Sequence, residues 1–263
     1  MTHPSKMGAM RWLLLLGALA GCDSVFGLDD TALPKCVRRG FGEALPDPLI
    51  TNIDVFSFTG DRDRAIGSIG GYTIEAEGSD GKNPTPIDIK PMYSIVASAF
   101  EPNGDYFFQT AAIEPPQILA VTKKDDEWIF DPHVPKGFIA GTPTNRMNNG
   151  KPVRVLVRLF PYDQQFQEYE RDDTGQWFAV GDRFELKAFG GANMTQDGLA
   201  IVFDGFHKDD KRGVYIAQRA TLDDSFEEPQ MVLEGVHVQP QLFDDCGKLY
   251  AIDEGSTLVR YVR

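Results

Sequence analysis

Histidine, tryptophan and cysteine are scarce in this chain: four, three and three among 263 residues. The shortage of histidine narrows the chemistry on offer. His133, His207 and His237 stand far apart in sequence, and an isolated imidazole is more often a structural hydrogen-bonding group than a metal ligand or proton carrier. The short catalytic signatures are missing too: Gly-x-Ser-x-Gly, His-Glu-x-x-His and the Gly-rich phosphate loop with its Lys. No metal site and no cofactor are expected. Basic residues are in deficit, 26 Lys and Arg against 39 Asp and Glu. The resulting net charge of −13 leaves no basic face for phosphates, which excludes nucleic acid as a partner. Long apolar runs with helical spacing are also lacking, so the chain reads as short strands rich in Val, Ile, Phe, Tyr and Thr, broken by Gly, Pro, Asn and Asp.

One continuous apolar run does occur, from Trp12 to Leu19, behind a short basic region containing His3, Lys6 and Arg11. It is shorter than the roughly 20 residues a membrane-spanning helix needs and has the layout of an export signal. It ends in Leu19-Ala20-Gly21-Cys22. This ending resembles the lipobox of bacterial lipoproteins, which implies diacylglycerol on the Cys22 thiol, removal of residues 1–21 and acylation of the new N-terminus. Two or more acyl chains hold a protein durably, at about 0.8 kcal/mol per buried methylene. The alternative is an ordinary secretory signal cut near Gly21. Removing residues 1–21 takes two positive charges with it and moves the net charge to −15. The expected organisation is a signal at 1–21, a lipidated tether at 22–36 and one folded domain at 37–263, held at the inner or outer membrane and lying in the periplasm or at the cell surface. With Cys22 lipidated, Cys36 and Cys246 remain as an even pair in a compartment that permits disulfides.

Turns recur at a steady beat through the folded region. Ala192-Asn193-Met194-Thr195-Gln196-Asp197-Gly198 precedes the strand Leu199 to Phe203, a charged hairpin and a second strand, Gly213 to Arg219. Ser98 to Gly104 leads in the same way into Asp105 to Gln109 and then Gln117 to Thr122. Similar turns stand at Asn149-Gly150, at Cys246-Gly247 and, less clearly, at Gly60, so that turn glycines fall at 60, 104, 150, 198 and 247. Gly, Asn and Asp recur there because tight hairpins need positive φ. Trp128, Trp177 and Phe226 keep the same beat, 49 residues apart, as packing residues between repeats or at outer strands. The segment Phe41 to Leu49 looks like the outer strand of a repeat without inner strands, while the last repeat lacks an outer strand. These deficits complement one another in a ring closed by its first strand.

The unit resembles the TolB-like, WD-type propeller repeat. Asp197-Gly198, Ile201-Val202-Phe203 and Val214-Tyr215-Ile216-Ala217-Gln218-Arg219 carry the likeness best. Pro102-Asn103-Gly104 with Phe107-Phe108, and Gly247-Lys248-Leu249-Tyr250, carry it in two further units. The first unit has no Asp-Gly turn, and the third has Met147 and Asn148 in place of the family's Ser and Pro. The resemblance implies an all-β propeller, of five four-stranded blades by the glycine count, with inner strands at Ile95 to Ala99, Gly190 to Met194 and Val238 to Phe243. Closure of its last blade by residues 41–46 would bring Cys36 beside Cys246 as a disulfide. A β-sandwich with coincidentally spaced turns is the competing architecture.

A propeller hosts many functions, so the site must decide. Thr51, Asn52, Ser94, Thr144, Asn145, Asn193, His237 and Gln239 fall close to the starts of the expected inner strands and are the candidates for hydrogen-bonded recognition at one rim. A water-filled channel mouth would use the same residues. The expected function is a membrane-tethered, non-catalytic binding or assembly module whose partner is an envelope protein, peptide or glycan. The alternative is a five-bladed glycoside hydrolase, which needs paired acids on inner strands. Asp54 and Glu101 are the acids near those positions, and Glu101 also fits a turn role. The acidic stretch Asp204 to Arg212 lacks the alternating spacing of a calcium loop and carries its own Lys208, Lys211 and Arg212, so a solvated hairpin is expected.

Overall fold

The computed structural model describes residues 36, 41–43, 50–51, 55–58, 64–69, 72–77, 82–86, 95–100, 106–111, 117–124, 127–131, 138–143, 147–148, 151–152, 154–159, 164–172, 174, 176–195, 197–206, 211–243, 246–254 and 257–262. Contacts group the chain into two units, Met1–Leu33 and Pro34–Arg263, and the described residues all belong to the second.

Regular structure among them is entirely β. After β1 (Ile50–Thr51) comes a sheet of β2 (Val55–Phe58), β3 (Arg64–Ile69), β4 (Tyr72–Glu77) and β5 (Lys82–Pro86). A second sheet holds β6 (Ile95–Phe100), β7 (Tyr106–Ala111), β8 (Gln117–Lys124) and β9 (Glu127–Asp131). The third begins with β10 (Phe138–Pro143), passes through a two-stranded ribbon of β11 (Met147–Asn148) and β12 (Lys151–Pro152), and continues with β13 (Arg154–Leu159), β14 (Gln165–Arg171) and β15 (Trp177–Glu185). The fourth is β16 (Ala188–Met194), β17 (Ala200–Phe206), β18 (Arg212–Gln218) and β19 (Gln230–Glu234). The last contains β20 (Val238–Phe243), β21 (Lys248–Ile252) and β22 (Thr257–Val262), with β1 added at its outer edge.

All sheet pairings are antiparallel. The first strands of successive sheets, β2, β6, β10, β16 and β20, are neighbours in turn, and β20 returns to β2. Such a cycle of four-stranded meanders is a β-propeller, the architecture expected from the turn spacing. Its inner strands include the three expected stretches.

The fourth sheet shows why strand alternation specifies this packing. Ala200 and Val202 of β17, with Val214 and Ile216 of β18, join one buried cluster with Leu242, Leu249, Ala251, Val259 and Tyr261 of the last sheet. Their sequence neighbours Ile201, Phe203 and Tyr215 face the other way, into a cluster with Leu156 and Phe166 of the third sheet. A strand sends successive side chains to opposite faces, so a sheet covered on both sides needs a continuous apolar run. Ala200 to Phe203 supplies one.

Closure of the ring differs in register from the sequence expectation. The described strand that pairs with β22 is at Ile50–Thr51, opposite Leu258 and Thr257; of the expected 41–46, residues 44–46 lie outside the described residues. Two bonds hold the earlier segment: the Gly42 amide donates to the Val262 carbonyl at 3.4 Å, and the Phe41 amide to Val232 at 3.2 Å. Pro46 and Pro48 between them have no N–H to give a ladder. Phe41 and Cys36 both lie in the cluster between the fourth and last sheets, so the core of the folded unit begins inside the stretch expected to be tether. Cys36 is bonded to Cys246 across 210 residues of chain, with Cα atoms 4.9 Å apart. Cys246 sits in the hairpin turn at φ +69°. Replacing Cys36 by Ser should lower the unfolding free energy by about 2–5 kcal/mol. Denaturant melts of the Cys36→Ser and Cys246→Ser chains check this: unchanged midpoints would show that closure does not depend on the bond.

Candidate functional site

The strongest concentration of chemistry lies between the third and fourth sheets. Glu168 of β14 is buried there at 5 % exposure, with Arg154 of β13 at 7 % and Arg219, just past β18, at 4 %. Its Oε1 accepts from Arg219 Nη1 at 2.6 Å. Oε2 accepts from Arg219 Nη2 at 3.1 Å and Arg154 Nη1 at 3.2 Å. Further donors of both arginines are employed. Arg154 reaches Glu170 at 2.9 Å and the Leu222 carbonyl at 2.9 Å, and Arg219 Nε donates to the Gly198 carbonyl at 2.8 Å. Charges this deeply buried persist only when paired and hydrogen-bonded. The cluster thereby ties the third sheet, the Asp197-Gly198 turn and the 219–229 connection into one body.

That turn is itself locally determined. Asp197 Oδ1 accepts from the Thr195 hydroxyl at 2.6 Å and the Leu199 amide at 2.9 Å, and Gly198 takes φ +74°, a conformation that costs glycine little.

Above the cluster opens a cleft of about 650 Å³, within the range of small-molecule sites. One wall is 180–186, from β15 into the following loop; the other is 222–229. A β-bulge shapes the first wall. Glu168 faces Val180 and Phe166 faces Phe184, so Gln167 alone stands opposite three residues, Gly181 to Arg183. Gly181 adopts φ +66°, and the Gln167 amide donates to the Val180 and Gly181 carbonyls at 2.8 and 3.2 Å. The bulge turns the outermost strand away from regular pairing. On the floor, Phe184 packs against Phe166 and Phe226 with centroids 6.2 and 5.6 Å away, and the Arg219 guanidinium lies 4.2 Å over the Phe226 ring. In the second wall, the Asp224 carboxylate accepts from both the Thr221 amide and hydroxyl, at 2.8 and 2.7 Å.

Of the rim residues expected from sequence, the described ones, Thr51, Asn193, His237 and Gln239, do not line this cleft. Asn193 is the penultimate residue of β16, towards its end rather than its start, and its amide donates to the Pro240 carbonyl at 2.9 Å, linking two inner strands. His237 does precede β20. Its Nε2 lies 3.2 Å from the Glu234 carbonyl and its Nδ1 3.2 Å from the Tyr261 hydroxyl. A neutral ring protonated on Nε2 satisfies both, donating to the carbonyl and accepting from the phenol. Gln239 lies in β20 with φ +50°. Thr51 pairs with Thr257 at the outer edge of the last sheet. Thr144 and Asn145 follow the end of β10 instead of preceding an inner strand, because that strand starts at Phe138. Asn52, Ser94, Thr144 and Asn145 lie outside the described residues, as do Cys22, Asp54, Glu101, His133 and His207. Among the described residues no cluster of His, Cys, Asp or Glu is placed to hold a metal ion.

A second charged group sits between the fourth and last sheets. Asp204 belongs to β17 rather than to a solvated loop, is buried at 3 % exposure, and pairs with Arg212 at 2.9 Å. Arg212 in turn lies 4.3 Å over the exposed Phe189 ring. Burial pushes the Asp204 carboxyl above its ordinary value, against the opposing pull of the Arg212 hydrogen bond, the Arg212 charge and His237. Burial also raises the Tyr261 phenol, helped by the Asp253 charge.

Solved structures supply the fold comparison. The β-propeller domain of Cps50 (Swd1) from Myceliophteria thermophila superposes with TM-score 0.50 at 11% identity, over 80% of this chain and 82% of that one. TolB from Acinetobacter baumannii superposes with TM-score 0.50 at 14% identity, over 81% of this chain and 55% of that one. The fold is that of a β-propeller. No protein-family model and no curated protein sequence matches the chain. At these identities the likeness is one of fold, and the TolB chain is nearly twice the length this propeller spans.

Two outcomes follow from the buried charges. Glu168→Gln leaves Arg154 and Arg219 buried without their shared counter-ion and should cost about 3–5 kcal/mol in a denaturant melt; a loss under about 1 kcal/mol, the level of a surface ion pair, would count against this. For Asp204, the folded state holds its proton at higher pH than the unfolded chain. Between the ordinary value of about 3.9 and the raised one, its contribution to stability therefore grows as pH falls. The stability of the native chain relative to Asp204→Asn should increase as melts are taken from neutral pH down towards about pH 4, and a flat difference would contradict the assignment.

Proposed function

We propose that this chain is a lipid-tethered cell-envelope lipoprotein whose propeller is a non-catalytic binding module for an envelope protein, peptide or glycan. The observation that carries the binding role is the cleft between the third and fourth sheets. It is preformed, apolar at its floor and charged at its rim, and its buried carboxylate is committed on both oxygens to arginine donors. A catalytic acid or base must instead reach a substrate proton. The arrangement suits a surface that holds a partner without changing it. Tethering through Cys22 rests on the resemblance of Leu19-Ala20-Gly21-Cys22 to a lipobox and orders the parts sensibly: a short connection from membrane to a ring whose first strand closes its last sheet.

The test uses the full chain in bacteria, carrying a photo-crosslinking residue at Ser225 in the cleft wall or, as control, at Thr174 on an exposed turn of the third sheet, with a clickable fatty acid in the medium. A discrete crosslinked envelope species from position 225 but not 174, and fatty-acid label that disappears in Cys22→Ser, are expected. Label persisting on the Cys22→Ser chain would end the tether. Hydrolysis of a glycan by the purified protein, lost in Asp54→Asn or Glu101→Gln, would replace binding by the glycoside hydrolase alternative.

A further inference from the structure

We infer that the cleft between the third and fourth sheets receives an extended peptide segment in which lysine or arginine alternates with apolar residues. The inference rests on the binding-module reading and names the partner chemistry. Charge is the first ground. Three arginines and seven carboxylates line the cleft. Of these, Arg154 and Arg219 are used by Glu168 at the buried floor, while Asp182, Glu185, Asp223 and Glu227 are exposed along the two walls. The field at the mouth is therefore negative over a low-dielectric floor, the condition that concentrates cations.

Shape and polarity are the second ground. The walls are two continuous runs of backbone, 180–186 and 222–229, so the space between them is long in the direction of the chain. Val180, Phe184, Leu222, Phe226 and Pro229 contribute apolar surface to it. An extended segment sends alternate side chains to opposite sides, so one set can cover the Phe184 and Phe226 rings while the other meets the rim carboxylates. Among the described residues β15 is the longest outer strand, at nine residues, and has a sheet neighbour on one side, a position where a strand can add. A compact metal ion or phosphate would use none of this apolar length, and a free polyamine would use only the charge.

The probe is a fluorescently tagged, end-blocked peptide of sequence Lys-Leu-Lys-Leu-Lys, titrated by anisotropy with the full chain in detergent. Comparison peptides replace Lys by Glu or Leu by Ser, and spermidine serves as competitor. Saturable binding is expected, weakening as salt rises because the rim charges are exposed. The triple variant Asp182→Asn, Glu185→Gln, Glu227→Gln should bind about tenfold more weakly, since single rim charges contribute little and three act together. Lack of saturable binding, equal affinity for the Glu-Leu peptide, or indifference to both salt and the triple variant overturns the inference. Equal affinity for the Lys-Ser peptide, or displacement by spermidine at the same concentration as by the peptide itself, overturns the extended amphipathic occupant in favour of a simple cation site. The salt titration needs no variant and stands even where the substitutions disturb folding. Each of these failures leaves the binding-module reading in place, which falls instead to glycan turnover by the same protein.

Discussion

Arg219 is the residue on which the best-defined part of the molecule depends. Its guanidinium is simultaneously a donor to the turn of its own sheet, through Gly198, an ion-pair partner of the next sheet, through Glu168, and a lid on the Phe226 ring. A propeller's sheets meet face to face with little backbone bonding between them, so their mutual placement rests on side chains. A buried guanidinium suits this task because its planar donors lie in fixed directions and remain charged at all ordinary pH values. Glu168 balances it, and Arg154 extends the same network to the Leu222 carbonyl, holding the 219–229 connection against the third sheet. The buried charges join the two sheets at the foot of the cleft, and the bulge opposite Gln167 lies in one of its walls.

Ring closure poses a related constraint at the other end of the chain. A meander of sheets has two loose ends, and the last sheet gains its outer strand only when β1 returns to it. The two-residue pairing at Ile50–Thr51 is short. It is reinforced by the backbone bonds of Phe41 and Gly42, by insertion of Phe41 between the fourth and last sheets, and by the link from Cys36 to the Cys246 turn. Apolar burial, a few hydrogen bonds and a covalent bond thus act together with the short ladder among the described residues. Nearby, His237 and Tyr261 meet in a perpendicular ring contact, centroids 5.4 Å apart.

Some of this was legible in the sequence, and the reasons are specific. Continuous apolar runs such as Ile201-Val202-Phe203 and Val214-Tyr215-Ile216, bounded by turn residues and rich in β-branched side chains, suit strands covered on both faces. Turn glycines at a near-constant interval make each meander equivalent to the next. The pairing register was not legible. Pro46 and Pro48 interrupt the segment that resembled an outer strand, and the two-residue ladder falls just beyond them. Thr144 and Asn145 likewise fall after the inner strand of the third sheet, which ends at Pro143.

Short strands and tight turns were readable from residue types, because turn chemistry is a local property, and the resemblance of the repeat units pointed to the propeller that the solved structures share. The cleft was decided only in three dimensions. Arg154, Glu168 and Arg219 come from two sheets and three separate stretches of chain, and a lone charge within a strand pattern normally reads as solvent-facing. Whether it turns inward depends on a counter-charge arriving from a neighbouring sheet. The bulge at Gly181 depends in the same way on Gln167 reaching across to two carbonyls. Phe226 was readable as a packing residue from its spacing, but only the folded chain sets it beneath the acids of two walls, since those walls converge through tertiary contact and not through any repeat.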